Sequence, residues 1–168
     1  MPSKSGVVVL IGPMGVGKTT LGKKLAKSLG SKFIDTDALI VSKHGAISEI
    51  FANQGESVFR AFEEEAVAEA ISEPGVVATG GGAVLSELTR SRLKDATVFY
   101  LFTDGRHMAS RLAQGNRPLL KNGIDDWRRI YDERKPLYEA AADFTINTSN
   151  QSLASALAEI KARLGIND

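Results

Sequence analysis

The chain has 168 residues, 43 % apolar and 24 % charged, with a formal net charge of +1. That is the size and balance of one globular domain able to bury a core. It lacks the apolar poverty and charge excess of a disordered chain and the basic field of a nucleic-acid binder. No cysteine is present, which excludes a disulfide framework or thiolate metal site and fits a reducing compartment. The first residues lack a signal-peptide layout, and the apolar run at 7–11 is far too short to span a bilayer. The expectation is a cytoplasmic protein without nucleic-acid or membrane partners.

Val7-Val8-Val9-Leu10-Ile11 is a continuous apolar, β-branched run, as in a strand buried on both faces. After a glycine-rich turn, Leu21, Leu25, Ala26 and Leu29 recur at helical spacing, and Gly30 ends that helix. Residues 32–35 read as a second strand, and helical patterns fill 38–72 with breaks near Gly45 and Gly55. Val76-Val77-Ala78 reads as a third strand that ends in Gly80-Gly81-Gly82, and residues 97–102 as a fourth. A helix is predicted over 106–113, a polar loop over 114–123, and a helix over 125–138 interrupted by Pro136. Phe144-Thr145-Ile146 makes a fifth strand, and Leu153, Leu157, Ile160 and Leu164 a closing amphipathic helix. This alternation, without repeat or linker, predicts a single three-layer α/β domain over residues 1–168, its parallel sheet covered on both faces. Ligands of such sheets bind beyond the carboxyl ends of the strands.

Gly12-Pro13-Met14-Gly15-Val16-Gly17-Lys18-Thr19 fits the phosphate-loop pattern G-x-x-x-x-G-K-[ST] in full. The glycines let successive backbone N–H groups turn toward phosphate oxygens, and the helix that follows adds its positive end. Lys18 would reach the β- and γ-phosphates, and the Thr19 hydroxyl would hold Mg²⁺. The motif by itself fits a kinase, a switch GTPase or a motor.

Asp35-Thr36-Asp37 closes the second strand. Residues two apart on an extended chain project to one side, so one carboxylate could support the metal and the other accept the proton of an attacking hydroxyl. A solvated strand end with Asp37 capping the next helix is the plainer alternative. Arg60 could simply pair with Glu63 or Glu64 along its helix. Arg117 and Arg134 could be solvated, or all three could grip anionic groups through planar guanidiniums. Gly80-Gly81-Gly82 fits either a tight turn or the close approach of a ligand to bare backbone.

In their order and spacing these motifs resemble shikimate kinase. The set comprises the phosphate loop, Asp35-Thr36-Asp37, Gly55-Glu56 with Phe59-Arg60 and Glu63 or Glu64, Gly80-Gly81-Gly82, Arg117-Pro118-Leu119-Leu120, and Arg134 with Pro136-Leu137-Tyr138. The resemblance covers residues 8–148. It implies a nucleoside-monophosphate-kinase-like fold whose five-stranded parallel sheet has the order 2-3-1-4-5. It also implies ATP- and Mg²⁺-dependent phosphorylation of the 3-hydroxyl of shikimate, in the route to chorismate and aromatic amino acids.

By position, Gly12, Gly15, Val16, Gly17, Lys18, Thr19 and Thr20 would bind ATP, with Arg111 against adenine and Arg117 on a lid over the phosphates. Lys18, Asp37 and Arg117 would be catalytic, Asp37 as base. Thr19 and Asp35 would serve the metal. Asp37, Arg60, Gly80, Gly81, Gly82 and Arg134 would bind shikimate, the two arginines taking its carboxylate. The mobile parts would be a substrate-binding segment near 38–62, chiefly 46–62, and a lid near 112–124. Thr19 stands where the family often has serine, and the stretch from Arg111 to Arg117 is short. A monomer is expected. A gluconate kinase and a noncatalytic nucleotide switch are the rival readings. His44, His107, Met14 and Trp127 receive no functional role.

Overall fold

The computed structural model describes residues 5–112 and 119–166. Five parallel strands, β1 (Val7–Ile11), β2 (Phe33–Asp35), β3 (Gly75–Ala78), β4 (Thr97–Phe102) and β5 (Phe144–Asn147), form one sheet in the order β2-β3-β1-β4-β5. This is the expected order. β1 is central, with Val9 opposite Val77 on one side and Val98 on the other.

Eight helices accompany the sheet among the described residues: α1 (Lys18–Leu29), α2 (Thr36–His44), α3 (Ile47–Gln54), α4 (Glu56–Ala70), α5 (Glu87–Leu93), α6 (Met108–Leu112), α7 (Ile124–Ala141) and α8 (Leu153–Arg163). A short 3₁₀ turn, Ala83–Leu85, follows the three glycines. The pleat sends alternate side chains of β1 into different layers. Val7, Val9 and Ile11 pack with Val77, Val98, Trp127 and Tyr131, whereas Val8 and Leu10 pack with Leu21, Leu25, Phe99 and Ile160. Having helices on both faces is why β1 carries no polar residue. A third, smaller cluster (Ile40, Ile50, Phe59 and Ala66) lies among α2, α3 and α4.

Gly45 and Gly55 divide the helical stretch where expected, at φ of 91° and 90°, a backbone region costly for side-chain-bearing residues. Three local readings need correction. Asp37 is not on an extended strand but in the first turn of α2, and the residue capping that helix is Asp35. The Asp35 Oδ1 accepts the N–H of Asp37 at 2.9 Å and of Ala38 at 3.3 Å, as an N-cap carboxylate does. Pro136 does not interrupt α7, which runs through it. Pro136 and Asp132 are exposed, so the carbonyl deprived of its helical donor faces water, while Arg134 and Tyr138 hold the opposite face inside. Helix α5 was not anticipated. Its signal is Ser86, whose hydroxyl accepts the Thr89 N–H at 3.0 Å. No described helix is long and apolar enough to cross a membrane.

Candidate active site

The phosphate loop joins β1 to α1, so its backbone curls at the carboxyl edge of the sheet. Gly12 has φ 148°, and a Cβ there would stand 2.7 Å from the Leu101 carbonyl. Gly17 takes φ 106° just before α1. Lys18 is buried, its Nζ donating to the carbonyls of Gly12 at 2.6 Å and Pro13 at 2.9 Å. The ammonium is thus folded over the loop. Beside it, Thr19 Oγ1 donates to Asp35 Oδ2 at 2.6 Å. Both sets of Asp35 lone pairs are engaged, one set capping α2 and the other meeting the threonine. A hydroxyl and a carboxylate, both hard oxygen donors, face one cavity here. They suit a small divalent cation that keeps water and phosphate oxygens as its other ligands.

A second cavity, of about 140 Å³, adjoins the first. Its polar wall is Asp37, Arg60, Glu63, Arg134 and the three glycines, and its apolar wall includes Ile47, Phe51 and Phe59. The cavities meet at Met14, Asp37, Gly80 and Gly81, which line both. Sequence reasoning named the charged residues and the glycines. Of the apolar wall its motifs held only Phe59; Ile47, Phe51 and Met14 were given no role, because single hydrophobic side chains on short helices carry no motif.

None of the three glycines has a positive φ, so conformational freedom does not explain them. Space does. A Cβ at Gly80 would meet Asp37 Oδ1 at 2.7 Å and Glu63 Oε2 at 2.8 Å, one at Gly81 would meet Met14 at 3.3 Å, and one at Gly82 would overlap Arg60 Nη1 at 2.1 Å. The close approach is made by the site's own side chains. Gly80 N–H also donates to the wholly buried Thr36 hydroxyl at 3.2 Å, and the Gly81 carbonyl accepts from Tyr138 at 2.5 Å.

Arg60 makes the pairing along its helix that the plainer reading expects. It pairs with Glu56 at 3.1 Å and Glu63 at 2.8 Å, and it still lines the cavity. Burial pushes the Glu63 carboxyl above its ordinary range, opposed by Arg60 and Arg134 and reinforced by Asp37. The Tyr138 hydroxyl is likewise pushed up to about 12 by burial, opposed by Arg134, so it remains a neutral donor at physiological pH. Arg134 is buried on α7 beside Gly81. Arg111 donates to the Gly15 carbonyl at 2.9 Å. It borders a further hollow with Val16, Gly17, Gln151 and Leu153. Arg117 lies outside the described residues.

A loop shaped for polyphosphate opens directly onto a small chamber carrying both guanidiniums and carboxylates. Such an arrangement defines a P-loop kinase of small molecules. The chain belongs to the shikimate kinase family, whose model matches residues 14–164. It is 44% identical to the shikimate kinase of Salinispora arenicola, over 94% of this chain and 97% of that one. It is 38% identical to that of Corynebacterium efficiens, over 92% and 94%. The fold superposes on the shikimate kinase of Acinetobacter baumannii in complex with shikimate with a TM-score of 0.89, at 38% identity, covering 97% of this chain and 95% of that one.

Proposed function

We propose that the protein transfers the γ-phosphate of ATP to the 3-hydroxyl of shikimate, giving shikimate 3-phosphate and ADP, on the route to chorismate and the aromatic amino acids. The observation that carries this reading is the junction of the two cavities at Met14, Asp37, Gly80 and Gly81. A carboxylate stands where an acceptor hydroxyl would meet a terminal phosphate.

Shikimate offers one carboxylate and vicinal hydroxyls. Arg60 and Arg134 take the carboxylate through charge-assisted hydrogen bonds, and the backbone of Gly80, Gly81 and Gly82 contributes donors. Asp37 orients the 3-hydroxyl and accepts its proton. Lys18 gives up the Gly12 and Pro13 carbonyls to neutralise charge on the β- and γ-phosphates, and the loop N–H groups bind their oxygens. Thr19 and Asp35 would hold Mg²⁺, which supplies charge neutralisation between the phosphates when bound. Phosphoryl transfer leaves the protein little covalent work, so positioning and charge carry the catalysis. Val16, Gly17, Thr20 and Arg111 complete the ATP site, Arg111 toward adenine. Arg117 keeps the lid role that its motif gives it, in a lid near 112–124, and the segment near 38–62 moves to admit the acceptor. On this reading the protein acts as a monomer in the cytoplasm.

Coupled ADP release with ATP and Mg²⁺, with and without shikimate, tests the proposal. Release that depends on shikimate and weakens in Arg134→Ala supports both reaction and clamp. Release that ignores shikimate but responds to gluconate would replace the acceptor.

A further inference from the structure

Trp127 received no role from the sequence, yet its placement is specific. It is buried on α7, and its indole Nε1–H donates to the Met14 carbonyl at 2.8 Å. Met14 is the third residue of the phosphate loop and one of the residues shared by the two cavities. The contact between loop and helix is tight, with no room for a water among Pro13, Met14, Trp127 and Tyr131. Arg128 lies over the indole ring at 5.1 Å and itself donates to the Asp104 carbonyl at 2.7 Å.

The peptide unit joining Met14 to Gly15 is planar. A bond that fixes its carbonyl therefore fixes the direction of the Gly15 N–H at the other edge of the same plane. Gly15 lines the phosphate cavity and has φ 80°, so nothing in its own side chain restrains that plane. Preorganised backbone donors are worth more than donors that must reorient when charge arrives. We propose that Trp127 is a positioning residue: its indole N–H sets the Met14–Gly15 peptide plane so that the Gly15 N–H faces the nucleotide phosphates before ATP binds. Through the same helix, two and three turns on, Arg134 and Tyr138 reach the acceptor cavity and the Gly81 carbonyl, so α7 braces both sides of the junction.

This inference deepens the kinase reading and rests on it, but nucleotide binding without any acceptor tests it separately. The chain has one tryptophan, so global incorporation of an analogue changes only this position. Trp127→Phe removes the donor and keeps an aromatic ring. Benzothienylalanine removes only the N–H at nearly constant shape, and fluorotryptophan retains it. ADP Kd, measured by calorimetry in the absence of shikimate, is expected to rise about three- to tenfold in both donor-less proteins, the scale of one lost hydrogen bond, and to return to the parent value with fluorotryptophan. Shikimate Kd without nucleotide should stay within twofold. The single indole N–H resonance of the parent protein should shift when ADP alone is added. An ADP Kd within twofold of the parent in the folded benzothienylalanine protein, an equal loss of shikimate affinity, or an indole resonance that ignores ADP would each overturn it. A parent protein with no shikimate-dependent turnover would instead defeat the acceptor reading and leave the ADP comparison intact.

Discussion

The two cavities are built in opposite ways. The phosphate side comes mostly from one contiguous segment between β1 and α1, and it hangs from β1, whose five residues are all buried. The acceptor side is mostly side chain, collected from α2, α3, α4 and α7. Much of it rests on the separate small cluster of Ile40, Ile50, Phe59 and Ala66. On the proposed reading, chemistry shared by ATP-using enzymes would sit on the central core, and selection of the acceptor on a smaller unit beside it. Damage to the first should strike kcat whatever the acceptor concentration, whereas damage to the second should strike acceptor affinity.

The largest test of that division is Lys18→Ala. Losing the cation proposed to neutralise the transferred group should lower kcat on the order of 10³-fold, with no recovery at high shikimate, as measured by coupled ADP release. Recovery with excess shikimate would break the division. Asp37→Asn comes next, at about 10²-fold in kcat. Because Asp37 lines both cavities, it should also move the shikimate KM. Arg134→Ala belongs to the acceptor side alone. It removes charge-assisted hydrogen bonds of about 1.5–3 kcal/mol each, so the shikimate KM should rise roughly tenfold or more, while the ATP KM stays near its parent value. Gly82→Ala is gentler. Its Cβ would overlap the end of a flexible Arg60 side chain rather than backbone, so the guanidinium swings aside. The shikimate KM should rise a few-fold, with melting temperature little changed.

The same contrast governs what the sequence disclosed. The phosphate side is legible because its chemistry is a fixed spacing of glycines, lysine and hydroxyl within eight residues. The strands are legible because burial on both faces leaves unbroken apolar runs, as in Val7–Ile11. The acceptor side is legible only where charge marks it. Arg60, Asp37 and Arg134 stand out, but Ile47, Phe51 and Met14 look like any core residues until the fold brings them together. Asp35 shows the limit of local periodicity. Spacing of two suggests a shared strand face, but the helix begins at Thr36 and converts one carboxylate into its cap. Trp127 is invisible for a similar reason, since its partner is a carbonyl more than a hundred residues away in sequence.

The smallest expected effect concerns Glu63, which shares Arg60 with Glu56 and holds it at 2.8 Å from a buried position. Burial raises its carboxyl above 4.5 in the folded chain, against the pull of Arg60 and Arg134. The folded state therefore keeps a proton over a range in which the unfolded chain has lost it. The stability linked to this group is complete below about 4.5 and is lost as pH rises through the folded value. Glu63→Gln cannot ionise, so its stability relative to the parent should improve as pH climbs from about 4.5 toward neutrality, a shift readable in paired thermal melts. Shikimate affinity of the variant should fall a few-fold, because Arg60 loses one of its ionic anchors. Both results together would mean that the acceptor side carries a buried charge at a cost in stability in order to orient a guanidinium. If the parent instead gained on the variant as pH rose, attraction to Arg60 and Arg134 would outweigh burial, and the acceptor side would be held together by its charges as well as by its small core.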